Sequence, residues 1–67
     1  MTTRARLLRK LHALLRDLGI SREDFKRRTG CRSMLEWSVR DLCSKIRFAL
    51  WIGKQPFHVR RAYGASR

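Results

Sequence analysis

Leu7-Leu8-Arg9-Lys10-Leu11-His12-Ala13-Leu14-Leu15-Arg16-Asp17-Leu18-Gly19-Ile20-Ser21 is the stretch that decides the fold of this chain. Leu7, Leu8, Leu11, Leu14, Leu15 and Leu18 recur at helical spacing and share one apolar stripe. Arg4, Arg6, Arg9, Lys10 and Arg16 lie mostly off that stripe. Thr2 or Thr3 is placed to cap the first turn. Gly19 is placed to end the helix in the left-handed conformation.

The pattern continues downstream. Ser21-Arg22-Glu23-Asp24 reads as the start of a short second helix running to about Thr29, where Gly30 stops it. Its acids suit the positive end of the helix dipole. Ser33-Met34-Leu35-Glu36 and Ser38-Val39-Arg40-Asp41 are two cap patterns five residues apart. They predict one helical turn, a break, and then the main third helix, with Trp37 plugging the core at the junction. That helix carries Val39, Leu42, Cys43, Ile46, Ala49 and Leu50 on one face and ends at Gly53.

At 100° per residue, Phe48, Trp51 and Ile52 point away from that face and need cover. Two candidates exist. One is the chain's own tail, which offers Phe57, Val59 and Tyr63 after the turn at Pro56. The other is a partner protein or a second copy. The tail is the favoured cover, because small domains recruit terminal segments over apolar surface. The tail's end, Gly64-Ala65-Ser66-Arg67, reads as flexible. The expected organisation is a three-helix domain over residues 1–53 with a basic extension over residues 54–67. The fold class is all-α: a small three-helix bundle with a helix-turn-helix-like arrangement, its core drawn from Leu11, Leu14, Leu18, Phe25, Trp37, Leu42, Ile46 and Leu50.

Composition narrows the function. Seventeen Lys and Arg against five Asp and Glu give a net charge of +12 on 67 residues. Such a surface repels itself in the compact state, which makes most sense beside a polyanion. The hydrophobic fraction of 43% is too high for a disordered chain of this charge, so a folded core is expected. A chain this short leaves little room for a deep apolar pocket. The five acids fall largely at helix starts, the two histidines have no nucleophile motif, and the four glycines are isolated. These features argue against catalysis and against a phosphate loop. Cys31, Cys43, His12 and His58 lack zinc spacing, so no metal or other cofactor is expected. No apolar run approaches a membrane span or a secretory signal. The chain reads as a cytoplasmic protein, with no membrane partner.

The basic residues cluster. Arg22, Lys26, Arg27, Arg28 and Arg32 crowd the second helix and the turn after it, and Arg60 and Arg61 form a second group in the tail. A solvated helix face would explain either cluster alone, but the excess is global. Leu18-Gly19-Ile20-Ser21 followed by Arg22 through Arg28 has the form of the centre of a helix-turn-helix. Phe25 would point inward, with Arg22, Glu23, Lys26 and Arg27 turned to the major groove and its phosphates. Leu15 stands where that motif prefers a small residue.

Lys10-Leu11-His12, Leu18-Gly19-Ile20 and Thr29-Gly30-Cys31-Arg32-Ser33 follow each other in an order that resembles the GemA-type regulatory proteins of Mu-like phages. The lead from Ser33 to Ser38 is similar too, with Trp37 in a leucine position. The same rhythm is similar to a small helical module at the C-terminus of some phage recombinases. The resemblance spans residues 7–50, with a shorter second helix and without the longer C-terminal part of GemA-type proteins. It implies a phage-encoded, non-enzymatic protein acting on DNA or on host DNA transactions.

Three readings follow. The first is nucleic-acid binding, with duplex DNA favoured over RNA, through phosphate contacts from Arg22, Lys26, Arg27, Arg28 and Arg32 and from a flexible arm bearing Arg60 and Arg61. The second is an effector that anchors on a host protein with an acidic surface through Phe48, Trp51 and Ile52. The third is an RNA-binding subunit of a ribonucleoprotein. Symmetric DNA readers are often homodimers, but no dimer seam is defined by this pattern.

Overall fold

Four α-helices and one 3₁₀ turn make up the computed structural model, which describes residues 2–67. They are α1 (Thr3–Leu18), α2 (Arg22–Thr29), the 3₁₀ turn Met34–Glu36, α3 (Val39–Gly53) and α4 (Phe57–Ala62). The all-α class is as the periodicity predicts, and the C-terminal extension adds a fourth helix to the three expected.

Local chemistry sets the helix ends. The Thr2 hydroxyl accepts from the Ala5 amide at 3.1 Å, and the Ser21 hydroxyl accepts from the Asp24 amide at 3.0 Å. Ser38 and Asp41 complete a reciprocal capping box, each bond 3.2 Å long. At Ser33 the expected box is not made. Its hydroxyl accepts instead from Leu35, two residues on, which starts only the three-residue turn. Gly19 and Gly30 stop α1 and α2 in the left-handed region at φ 73° and 72°. At each stop the amide of the next residue reaches back five positions, Ile20 to the Leu15 carbonyl and Cys31 to the Lys26 carbonyl, both at 2.9 Å.

α1 and α3 are the principal packed pair. Leu11 and Leu15 of α1 meet Leu42, Ile46, Ala49 and Ile52 of α3, and Ile20, Phe25, Met34, Trp37 and Ala65 close the core. Each large side chain taken out of water here contributes about 1.5–3 kcal/mol. Phe25 projects from α2 into the centre, edge-on to Trp37 with ring centroids 6.1 Å apart. Arg4 ties the start of α1 to the 3₁₀ turn. Its guanidinium donates to the backbone carbonyls of Trp37 (2.7 Å), Met34 (3.4 Å) and Leu35.

Three expectations are corrected. First, Leu50 and Val39 are 44% and 42% exposed, while Ile52 is 1% exposed, so α3 is turned about 60° from the face read off the sequence. The cause lies in the neighbours: Phe25 of α2 and Tyr63 after α4 pack against Phe48, on the Ile52 side of the helix. Ile52 is therefore core and offers nothing to a partner. Second, Leu14 and Leu18 pack only at the margin, whereas Leu15 is fully buried. Third, the tail is not a flexible arm. The Ser66 and Arg67 amides both donate to the Leu18 carbonyl at 3.2 Å, the Ser66 hydroxyl donates to the Gly19 carbonyl at 3.1 Å, and Ala65 is buried. Arg60 and Arg61 accordingly lie on a docked helix.

Candidate nucleic-acid interface

α2 presents the first predicted cluster, and its own acids occupy much of it. Lys26 pairs with Glu23 at 2.8 Å. Asp24 takes Arg28 at 2.8 Å through one carboxylate oxygen and Arg27 through the other. The Arg28 hydrogen bond, followed by that of Arg27, holds the Asp24 carboxyl below its ordinary range, against a smaller opposing effect of burial. Arg28 also donates to the Ala62 carbonyl at 3.0 Å, so it staples α2 to the end of α4. Arg22 and Arg32 are exposed and, among the described residues, have no acid within ion-pair distance. The structure thus divides the five cations: Arg22 and Arg32 are free, Lys26 and Arg27 are held in partly exposed pairs, and Arg28 is structural.

A cleft of about 340 Å³ opens between α1 and the start of α2, lined by His12, Arg16, Ile20 and Arg22 among others. Neither His12 nor Arg16 belongs to the cluster read from the sequence. Their convergence with Arg22 depends on the turn at Gly19 that joins α1 to α2. Partial burial, and then the charge of Arg22, push the His12 imidazole below its ordinary value. Its Nε2 lies 3.2 Å from the Met34 sulfur.

The tail cations sit differently. Arg60 donates to the Gln55 carbonyl at 2.6 Å and to the Arg67 carbonyl at 3.0 Å. Arg60 and Arg61 both stand over the Phe57 ring, 5.6 and 5.8 Å from its centroid. Of the proposed protein-anchor residues, Phe48 is half-buried among Phe25, Trp51 and Tyr63, Ile52 is core, and Trp51 is 44% exposed. Cys31 and Cys43 are separate free thiols. Among the described residues no three metal-ligating side chains converge, and no helix is long and apolar enough to cross a membrane.

Comparison with known protein families, curated proteins and solved structures finds no significant match to this chain.

Proposed function

We propose that this is a small non-enzymatic regulatory protein that binds nucleic acid, duplex DNA foremost, by neutralising backbone phosphates with Arg and Lys. One observation carries the reading. Of seventeen basic residues, only Lys26, Arg27 and Arg28 pair with acids among the described residues, and all three pairs lie within α2. The other fourteen form no ion pair among the described residues, and the net charge stays at +12, which is the footprint of a protein that meets its counterion in a partner. Arg22, Arg32 and the rim of the α1–α2 cleft are the contacts favoured, with Lys26 and Arg27 available from partly exposed pairs. The resemblance to GemA-type regulatory proteins points the same way. The host-protein reading is weaker, since two of its three anchor residues are covered.

The test is fluorescence anisotropy of nuclease-treated protein with matched duplex DNA and duplex RNA at increasing salt. Neutralising about five phosphates predicts a slope of about −4 to −5 in log affinity against log salt. Arg22→Gln and Arg32→Gln should each reduce the slope by about one. Weak binding at physiological salt, or affinity independent of salt, refutes the proposal. Tighter binding to duplex RNA redirects it to a ribonucleoprotein.

A further inference from the structure

The α3–α4 corner has a different character from the α2 face. Residues 42–67 contain no acid, yet they carry Lys45, Arg47, Lys54, Arg60, Arg61 and Arg67. Arg40, Arg47 and Lys54 are seven residues apart, so they lie within about 40° of one another on the outer side of α3, with about 10 Å between successive charges. Trp51 stands in the same stripe, four residues after Arg47 and three before Lys54, where helix neighbours meet. It is 44% exposed on the side of α3 opposite Leu42, Ile46 and Ala49. Its ring is held near-parallel to Phe48, with centroids 6.2 Å apart, and Tyr63 packs edge-on at 5.5 Å. Across the turn at Pro56, Phe57 is 49% exposed beneath Arg60 and Arg61.

A scattered exposed aliphatic needs no explanation. Two exposed aromatic rings in one acid-free segment, each flanked by two cations and one braced by further rings, form a composition with a recognisable use. Cations follow a phosphodiester chain while aromatic faces stack on bases. In a duplex those base faces are already occupied by their neighbours. We infer that the α3–α4 corner is a stacking site for a single-stranded polynucleotide, with Trp51 and Phe57 taking unpaired bases and Arg47, Lys54 and Arg61 its phosphates. This site lies outside the α1–α2 face proposed for duplex DNA and does not depend on it. Base stacking and phosphate contacts do not distinguish ribose from deoxyribose, so oligo(dT) and oligo(U) should bind alike.

The test uses the full chain and oligo(dT) of about fifteen nucleotides, a length suited to one small domain. Binding should quench tryptophan emission. In Trp51→Leu the quench should vanish while buried Trp37 still emits, and affinity for oligo(dT) should fall about tenfold. Trp51→Phe should keep most of the affinity, and duplex binding should be unchanged in both variants. Equal oligo(dT) affinity in the wild type and folded Trp51→Leu overturns the inference, as does a parallel loss of duplex and single-strand binding. If Trp51→Leu does not fold, Arg47→Gln with Lys54→Gln decides, since both side chains are exposed. That pair should lower the single-strand salt slope by about one to two, and no change overturns the site. Failure of duplex binding alone would refute the previous proposal and leave this one standing.

Discussion

Gly19→Ala and Gly30→Ala are a matched pair whose difference measures the latch that holds the C-terminus. Both glycines end a helix at nearly the same left-handed φ, 73° and 72°. Alanine there costs about 1–2 kcal/mol in backbone strain, partly offset by about 0.4–1 kcal/mol from a stiffer unfolded chain. Surroundings separate them. A Cβ on Gly30 meets nothing within 4 Å, whereas a Cβ on Gly19 would lie 2.1 Å from the Ser66 hydroxyl and 3.1 Å from the Ser66 amide nitrogen. The Ser66 hydroxyl must swing away and lose its bond to the Gly19 carbonyl, and the Ser66 backbone must back off, loosening the bonds from Ser66 and Arg67 to the Leu18 carbonyl. Exposed hydrogen bonds sit near the low end of about 0.5–1.5 kcal/mol each. Gly19→Ala should therefore exceed Gly30→Ala by about 1–2 kcal/mol. The assay is urea unfolding with a thermal melt, where the excess appears as a further drop of about 5–15 °C. In a chain ending at Ala65 the two substitutions should cost the same, which closes a double-mutant cycle. Equal costs in the full chain would refute the latch.

Two further outcomes follow from the core and the cleft. Arg4→Met keeps the aliphatic stem but removes the donors to three carbonyls around the 3₁₀ turn. It should lower unfolding free energy by about 2 kcal/mol and weaken the near-ultraviolet signal of Trp37, and Arg4→Lys should not restore either, because one ammonium cannot reproduce the guanidinium fork. An unchanged spectrum and stability would remove Arg4 from the fold. His12 predicts a pH effect: its folded pKa lies below the ordinary 6.5, so between the two values the unfolded chain binds more protons and stability rises with pH. Acidifying from about pH 7.5 to about pH 5.5 should cost stability through this group, and His12→Gln should flatten that slope. The Asp24 contribution is lost only at lower pH, as the pH falls below its ordinary 3.8. An identical pH slope in His12→Gln would contradict the assignment.

Everything that closes within a few residues is legible along the chain. The capping hydroxyls of Thr2, Ser21 and Ser38 bond to amides three positions on. Gly19 and Gly30 stop helices because only glycine enters the left-handed region freely. Those signals place the first three helices and the break at Trp37, and the alternation of leucine with arginine marks α1 as amphipathic. Tertiary structure decided the rest. The azimuth of α3 depends on which neighbours dock against it. Cover from Phe25 and Tyr63 drew Ile52 into the core and left Leu50 and Val39 at the rim, a choice that a helical repeat with two apolar faces does not make. Likewise, which cations are free cannot be read along the chain. Arg4 is engaged by carbonyls more than thirty residues away, and Arg28 reaches Ala62. The cleft that joins His12 and Arg16 to Arg22, and the fold-back of Ser66 onto Leu18, likewise exist only once the helices have packed. A hydrogen bond across that span is made only after the whole core has met the entropy cost of bringing its ends together.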